Sequence, residues 1–273
     1  MSLRWLWCAL GLLLLAPAGT PARGDEILVS AAASLTDAMA EIGRAFTKAQ
    51  GGSVRLNVGA SGTLQRQIEQ GAPVDVFVSA SPREMDALAR AGRIERATRV
   101  NVASNRLVLV APRRPGRASV TGWADLARPA VRRVAVSNPE AVPSGRYAEE
   151  TLRRRRLWDA VLAKAVLGEN VRQTLAYVAT GDVDAGVVFG TDARVEARRV
   201  RVVARAVPGV DHSPVLYPAA VVAGSARAVA ARRFVRFLAG PAARAILRRY
   251  GFDGPAEGAP AKPAARRGPT RKR

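Results

Sequence analysis

The sequence predicts an α/β fold for residues 25–253, because short runs of β-branched residues alternate with amphipathic helical segments. The chain of 273 residues is 48% hydrophobic, so it can bury the core of one large domain or two modest ones. A single cysteine and a single histidine exclude a disulfide framework and a zinc finger.

The first half of this region alternates strands with helices that capping residues and glycines delimit. Leu35, Met39, Ile42 and Phe46 lie three or four residues apart and mark the apolar face of one helix. Helices are predicted at 34–48, at about 63–70 and from 82 to about 92, and strands at 27–29, 54–58 and 74–78.

The second half continues the same alternation. Strands are predicted at 107–110, 134–136, 186–189, 200–203 and 217–222. Helices are predicted from Pro143, from Asn170 to Gly181, at 225–238 and from Pro241 to Tyr250.

Both ends of the chain differ in composition from this central region. Residues 1–24 combine Arg4, an apolar run from Trp5 to Ala16 and small residues, which is the pattern of a cleaved signal peptide. We therefore expect the protein to be exported. Residues 254–273 consist mostly of Gly, Pro, Ala and basic residues, so they predict a disordered basic tail.

The chain is strongly basic, with a formal net charge of +21. This charge leaves two interpretations open, namely attraction of an anion or anionic surface and arginines on solvated helix faces. No aromatic residues alternate with the basic ones, so we expect no nucleic-acid partner.

The signatures of common enzymes are absent from the sequence. There is no phosphate-binding loop of the G-x-x-x-x-G-K-[ST] type, no G-x-S-x-G elbow and no H-E-x-x-H zinc motif. His212 lies in the loop 209–213, which we interpret as a surface turn rather than the position of a general base. These absences argue against a standard hydrolase or nucleotide enzyme.

Four junctions between a strand and a helix share small residues and a polar side chain, and they contain Ser34, Ser61, Ser144 and Asn170 with Val171. Each helix N-terminus offers free backbone N–H groups and about half a positive charge. Converging N-termini would form an anion site made only of donors. The alternative is that each polar side chain caps its own helix. The residues alone therefore indicate an exported protein that binds an anion.

Over residues 26–253 the sequence resembles the periplasmic molybdate-binding proteins of ABC transporters, the ModA family. Six motifs carry this resemblance, in the family's order and spacing. They are Ala31-Ala32-Ala33-Ser34-Leu35-Thr36, Ala60-Ser61-Gly62-Thr63-Leu64, the run from Gly71 to Ala80, Asn138 to Gly145, Gly186 to Ala193, and Arg248 to Phe252.

The resemblance implies a two-lobed periplasmic substrate-binding fold of type II, with a ligand cleft between lobes joined by two crossing strands. Lobe one would comprise 25–104 plus 214–253, and lobe two would comprise 105–213. It further implies a monomer that carries molybdate, and also tungstate, to an inner-membrane ABC permease. No cofactor and no catalytic residue is expected, and molybdenum would be held only as its oxyanion.

The resemblance also implies the ligand contacts. Ser34 and Ser61 would donate through hydroxyl and backbone N–H groups, and Ser144 and Val171 through backbone N–H groups. Phe189 occupies the position of the family's tyrosine, whose hydroxyl completes the usual set of donors. A phenylalanine cannot donate a hydrogen bond, so the site differs from the family at this position.

Two compensations for Phe189 are expected, one from the hydroxyl of Ser144 and one from the positive charge of Arg146. Two other functions stay open. One is a binder of another tetrahedral oxyanion such as sulfate, and the other is an enzyme on the same two-lobed fold. An enzyme would need a buried acid or base near the cleft.

Overall fold

The structure is a computed structural model that describes residues 26–114 and 119–255. The predicted signal peptide and all but the first two residues of the predicted tail lie outside this part of the chain. Within it, no helix has both the length and the apolar character needed to cross a membrane.

Ten strands lie in the described part of the chain. In order, they are Glu26–Ala32 (β1), Ser53–Gly59 (β2), Val76–Val78 (β3), Val100–Asn105 (β4), Leu107–Pro112 (β5), Val134–Ser137 (β6), Ala165–Gly168 (β7), Ala185–Phe189 (β8), Val200–Arg205 (β9) and Val215–Val221 (β10).

Nine α-helices accompany these strands in the same described residues. They are Thr36–Gln50 (α1), Ser61–Glu69 (α2), Pro82–Arg90 (α3), Pro143–Arg154 (α4), Trp158–Leu162 (α5), Val171–Thr180 (α6), Gly190–Val195 (α7), Ala228–Leu238 (α8) and Pro241–Arg249 (α9).

The strands form two five-stranded sheets. The first has the order β2-β1-β3-β10-β4, in which β1 is parallel to β2 and β3 while β10 is antiparallel to β3 and β4. The second has the order β7-β6-β8-β5-β9, in which β6 is parallel to β7 and β8 while β5 is antiparallel to β8 and β9. The α/β prediction is therefore confirmed.

The chain connects the two sheets twice. It passes from β4 to β5 at Arg106, and it returns between Arg205 at the end of β9 and Val215 at the start of β10. The residue limits given above for the two lobes stay a prediction.

Two strands are absent from the sequence prediction, and both carry weak apolar signals. In β4, asparagine and serine interrupt the apolar residues. In β7, the sequence is only Ala-Val-Leu-Gly, and Leu167 is exposed. Short edge strands of this kind owe their conformation to pairing with a neighbour, which a local pattern does not report.

Helix α1 buries the apolar face that its spacing predicts. Met39, Ile42 and Phe46 are at most 1% exposed. The ring of Phe46 meets the rings of Phe234 and Phe237 of α8 edge to face, with centroids 5.2 and 5.6 Å apart. This aromatic cluster joins α1 to α8 behind the first sheet.

We expect Phe46→Ala to lower the free energy of unfolding by about 3–5 kcal/mol, because it leaves a cavity among the three rings. Urea denaturation followed by circular dichroism measures this loss. The control is Val229→Ala on α8, where the side chain is 72% exposed and the change should stay within about 0.5 kcal/mol. Equal effects of the two substitutions would contradict the aromatic cluster's role.

Candidate ligand-binding site

A small cavity lies between the two sheets, and all five residues predicted as ligand contacts line it. The predicted contacts are all at most 3% exposed. The complete lining is Ala32, Ala33, Ser34, Gly59, Ala60, Ser61, Ala80, Val142, Pro143, Ser144, Asn170, Val171 and Phe189.

None of these lining residues is ionisable. Elsewhere in residues 26–114 and 119–255, no group of three or more His, Cys, Asp or Glu side chains is placed to hold a metal ion. The cavity wall therefore offers hydroxyls, one side-chain amide, backbone groups and apolar carbon, and it offers neither an acid nor a base.

The polar wall is built from strand ends and helix starts. Ser34 lies in the short 3₁₀ turn Ala33–Leu35 between β1 and α1, and Ser61 is the first residue of α2. Ser144 and Val171 lie in the first turns of α4 and α6. Backbone N–H groups in a first helical turn have no acceptor inside their own helix. Four such starts therefore converge on one cavity.

The capping alternative holds for one of the four junctions. The Asn170 side chain accepts hydrogen bonds from the N–H groups of Arg172 and Gln173, both at 3.0 Å. It leaves the N–H of Val171 beside the cavity. Ser34 and Ser61 cap no helix. The Ser61 hydroxyl instead accepts the N–H of Ala80 at 3.1 Å, so its own hydrogen remains available to the cavity.

The hydroxyl of Ser144 belongs to a series of buried, hydrogen-bonded hydroxyl groups. The last of them, on Thr174, determines which group donates in each hydrogen bond. Thr174 Oγ1 lies 3.0 Å from the carbonyl oxygen of Asn170, which can only accept, so Thr174 donates there. Ser137 Oγ is 2.8 Å from Thr174 Oγ1 and 2.8 Å from Ser144 Oγ. Ser137 therefore donates to Thr174, and Ser144 donates to Ser137. This direction argues against the compensating role predicted for the Ser144 hydroxyl.

Phe189 contributes a carbon surface to the cavity. Its ring is 1% exposed and packs against Tyr147 and Tyr217, with centroids 6.3 and 6.2 Å away. The second predicted compensation, the charge of Arg146, is also reduced, because that guanidinium forms an ion pair with Glu84.

Close to the cavity, two ion pairs join helices of one half of the protein to helices of the other. Arg146 of α4 pairs with Glu84 of α3. Arg172 of α6 binds Asp37 of α1 at 2.8 Å through Nη2, and it binds Asp192 of α7 at 2.7 Å through Nε. Burial raises the pKa of Asp192 to about 6, although the Arg172 guanidinium acts in the opposite direction.

Gly62 provides a close backbone contact across the cleft. Its N–H donates to the carbonyl oxygen of Ala141 at 3.0 Å, and an added Cβ would lie 2.6 Å from that same oxygen. The absence of a side chain at this position is therefore needed for this backbone contact between the two halves of the protein.

His212 is not the surface residue that its loop predicts. It is fully buried, its Nδ1 lies 2.6 Å from the carbonyl oxygen of Ser213, and its ring meets Tyr147 edge to face. Burial lowers the pKa of the imidazole. It does not line the cavity, so it supplies no base to it.

Comparison with known proteins identifies the family of this chain. Residues 27–253 match the family model of bacterial extracellular solute-binding proteins. The chain belongs to this family.

Relatives and solved structures extend the match over most of the chain. The molybdate-binding protein ModA of Escherichia coli is 40% identical over 92% of this chain and 99% of its own length. ModA of Haemophilus influenzae is 36% identical over 85% of this chain and 91% of its own. The structure of the Azotobacter vinelandii periplasmic molybdate-binding protein superposes with a TM-score of 0.74 and 26% identity, covering 84% of this chain and all of that one.

Several polar residues near the cavity were not predicted from the sequence. The most important is Tyr217, whose hydroxyl lies 3.0 Å from the hydroxyl of Ser34. A tyrosine at the start of the predicted strand 217–222 is ordinary, and nothing local connects it to a serine 183 positions earlier. Arg172 and Asp192 form a similar case, since their pairing depends on the packing of α6 against α7.

We expect Asp192→Asn to change how the free energy of unfolding depends on pH, because Asp192 is a buried carboxyl group. When the pH falls from 7.5 to 4.5, the free energy of unfolding of the unsubstituted protein should increase by about 2 kcal/mol relative to that of the variant. The reason is that Asp192 takes up a proton near pH 6 in the folded protein and only near pH 4 in the unfolded chain. Its desolvation cost is therefore present above pH 6 and is relieved below it.

Urea denaturation at a series of pH values measures this difference. The control for the loss of one carboxyl group is Asp159→Asn, at an exposed position on α5. A difference for Asp192→Asn that is constant or falls on acidification would mean that Arg172 keeps the carboxylate ionised.

Proposed function

We propose that this protein is the periplasmic solute-binding component of an ABC importer, which captures molybdate in the cavity and delivers it to the membrane permease. The observation that carries this proposal is a small buried cavity whose wall has hydrogen-bond donors and no ionisable group. Relatives up to 40% identical over nearly the whole chain bear the name molybdate-binding protein.

Molybdate matches the chemistry of this wall. At neutral pH it is a tetrahedral dianion, and every oxygen accepts hydrogen bonds without donating any. We assign as its donors the hydroxyl and backbone N–H groups of Ser34 and Ser61, together with the backbone N–H groups of Ser144 and Val171. The positive ends of α2, α4 and α6 supply attraction without a fixed positive charge.

The same wall disfavours anions that carry a proton. Hydrogen phosphate would direct an O–H group at a donor, and the resulting unpaired donor would cost binding free energy. Sulfate has the hydrogen-bonding pattern of molybdate and a smaller radius, so cavity size has to discriminate against it. Tungstate is close to molybdate in size, and we propose that it binds as well.

Binding without chemistry is favoured over catalysis on the same fold. An enzyme would need an acid, a base or a nucleophile beside the ligand. The lining residues include neither a titratable side chain nor a histidine. The serine hydroxyls have no base within their hydrogen-bond partners, so none is activated as a nucleophile.

Calorimetric titration of the protein after removal of residues 1–24 tests this function. We expect tight one-to-one binding of molybdate and of tungstate, much weaker binding of sulfate and no detectable binding of phosphate. Ser34→Ala should weaken molybdate binding about 10- to 150-fold, because it removes one hydrogen bond to a charged ligand. Absence of molybdate binding, or a preference for sulfate, would overturn the proposal.

Ser104→Ala is the matched control for that substitution. The Ser104 hydroxyl donates to the carbonyl oxygen of Gly254 at 2.6 Å and does not line the cavity. Its removal should leave the affinity for molybdate unchanged.

We also expect Gly62→Ala to weaken molybdate binding about 5- to 150-fold, because the new Cβ would lie 2.6 Å from the Ala141 carbonyl oxygen and push the two halves apart. Calorimetry of the variant measures the loss. Gly122→Ala is the control, since a Cβ there meets nothing within 4 Å. Equal affinities of the Gly62 and Gly122 variants would show that capture does not need this contact.

A further inference from the structure

Three buried polar side chains form a chain of hydrogen bonds behind the cavity wall. Asn105 Nδ2 lies 3.1 Å from the Tyr217 hydroxyl, and that hydroxyl lies 3.0 Å from Ser34 Oγ. The three residues are 5%, 0% and 3% exposed. Of the three, only Ser34 lines the cavity.

The orientation of the Asn105 amide sets the direction of this chain. Its Oδ1 accepts the backbone N–H of Arg106 at 2.9 Å, and an N–H can only donate. The NH₂ group therefore faces the other way, where it donates to Thr191 Oγ1 at 2.9 Å and to the Tyr217 hydroxyl. Asn105 is thus a donor to Tyr217.

Tyr217 in turn donates its hydrogen bond towards Ser34. Its oxygen accepts from Asn105, and its single hydrogen has Ser34 Oγ as its acceptor. Burial raises the pKa of the Tyr217 hydroxyl, so it stays protonated at any pH at which the protein functions. Ser34 consequently accepts from Tyr217.

The Ser34 hydroxyl keeps its own hydrogen for a hydrogen bond to a group in the cavity. In residues 26–114 and 119–255 the hydroxyl of Ser34 has Tyr217 as its hydrogen-bond partner and no protein acceptor for its own hydrogen. Since Ser34 lines the cavity, that hydrogen faces the ligand. A hydroxyl that accepts one hydrogen bond also becomes a stronger donor in the next.

We propose that Tyr217 is a positioning residue that makes Ser34 an obligate donor to the bound oxyanion, an inference that rests on the function proposed above. It offsets the absence of a hydroxyl on Phe189, whose ring packs directly against Tyr217. Because Tyr217 acts through Ser34 and not on the ligand, it governs which anions are accepted as well as how tightly they bind.

The effect on selectivity follows from the fixed direction. With Tyr217 in place, Ser34 Oγ already accepts a hydrogen, so it is a poor acceptor for the O–H of hydrogen phosphate. Without the tyrosine hydroxyl, Ser34 is free to rotate and can accept that proton. Loss of Tyr217's hydroxyl should therefore weaken molybdate binding and relax the discrimination against hydrogen phosphate.

Tyr217→Phe tests the proposal by calorimetry, with molybdate titrated alone and in competition with millimolar phosphate. We expect the affinity for molybdate to fall about tenfold. The ratio of the phosphate and molybdate dissociation constants should fall as well. Tyr250→Phe is the matched control, because its hydroxyl donates to Glu41 at 3.0 Å on α1 and has no contact with the cavity.

A double-mutant cycle tests whether Tyr217 acts through Ser34. If it does, Tyr217→Phe should change neither affinity nor selectivity once Ser34→Ala is present. Additive losses, or equal weakening of both anions in Tyr217→Phe, would show a structural role alone and overturn the proposal.

Asn105→Asp reverses the chain while it keeps the tyrosine, so it remains informative if Tyr217→Phe does not fold. Tyr217 would then donate to the carboxylate, and Ser34 would donate to Tyr217 with its hydrogen directed away from the ligand. We expect a larger loss of molybdate affinity than in Asn101→Asp, which adds the same charge on the same strand. Equal losses in the two variants would overturn the proposal.

The outcomes separate this inference from the proposed function. If the unsubstituted protein fails to bind molybdate, the proposed function is wrong and the inference falls with it. If the unsubstituted protein binds molybdate and Tyr217→Phe binds it with the same affinity and selectivity, the function stands and only the inference is wrong.

Discussion

Buried hydrogen-bond donors that lack acceptors cost free energy, and this constraint shapes the protein around its cavity. Helix starts bring backbone N–H groups to the wall because their own helices cannot use them. The two halves then meet closely enough to bury these groups, through the Gly62–Ala141 hydrogen bond and the ion pairs of Arg146 and Arg172. What remains is a small space that only an acceptor can fill well.

The hydroxyls around this space are divided between two tasks. Ser144 directs its hydrogen into the interior, where Ser137 and Thr174 carry the chain to a carbonyl oxygen. Ser34 and Ser61 each accept a hydrogen from within the protein and keep their own for the cavity. Hydroxyl groups that look equivalent along the sequence therefore differ in function, and their neighbours decide which way each one points.

Local signals were sufficient for the class of fold and for most of the elements. The spacing of Met39, Ile42 and Phe46 determines one face of α1, and Asn170 caps α6 through atoms two and three residues away. The five cavity residues came from a resemblance to a family, and the structure brings them together. The Tyr217–Ser34 contact and the burial of His212 could not be predicted, because both depend on packing between segments far apart in sequence.

The uncharged wall has a consequence for where such a protein can work. No side chain that lines the cavity gains or loses a proton when a fully ionised ligand enters. The compartment outside the inner membrane follows the acidity of the surroundings more closely than the cell interior does. Capture of a scarce nutrient there then requires no lining side chain to hold a particular protonation state, over the whole range in which the ligand itself stays ionised.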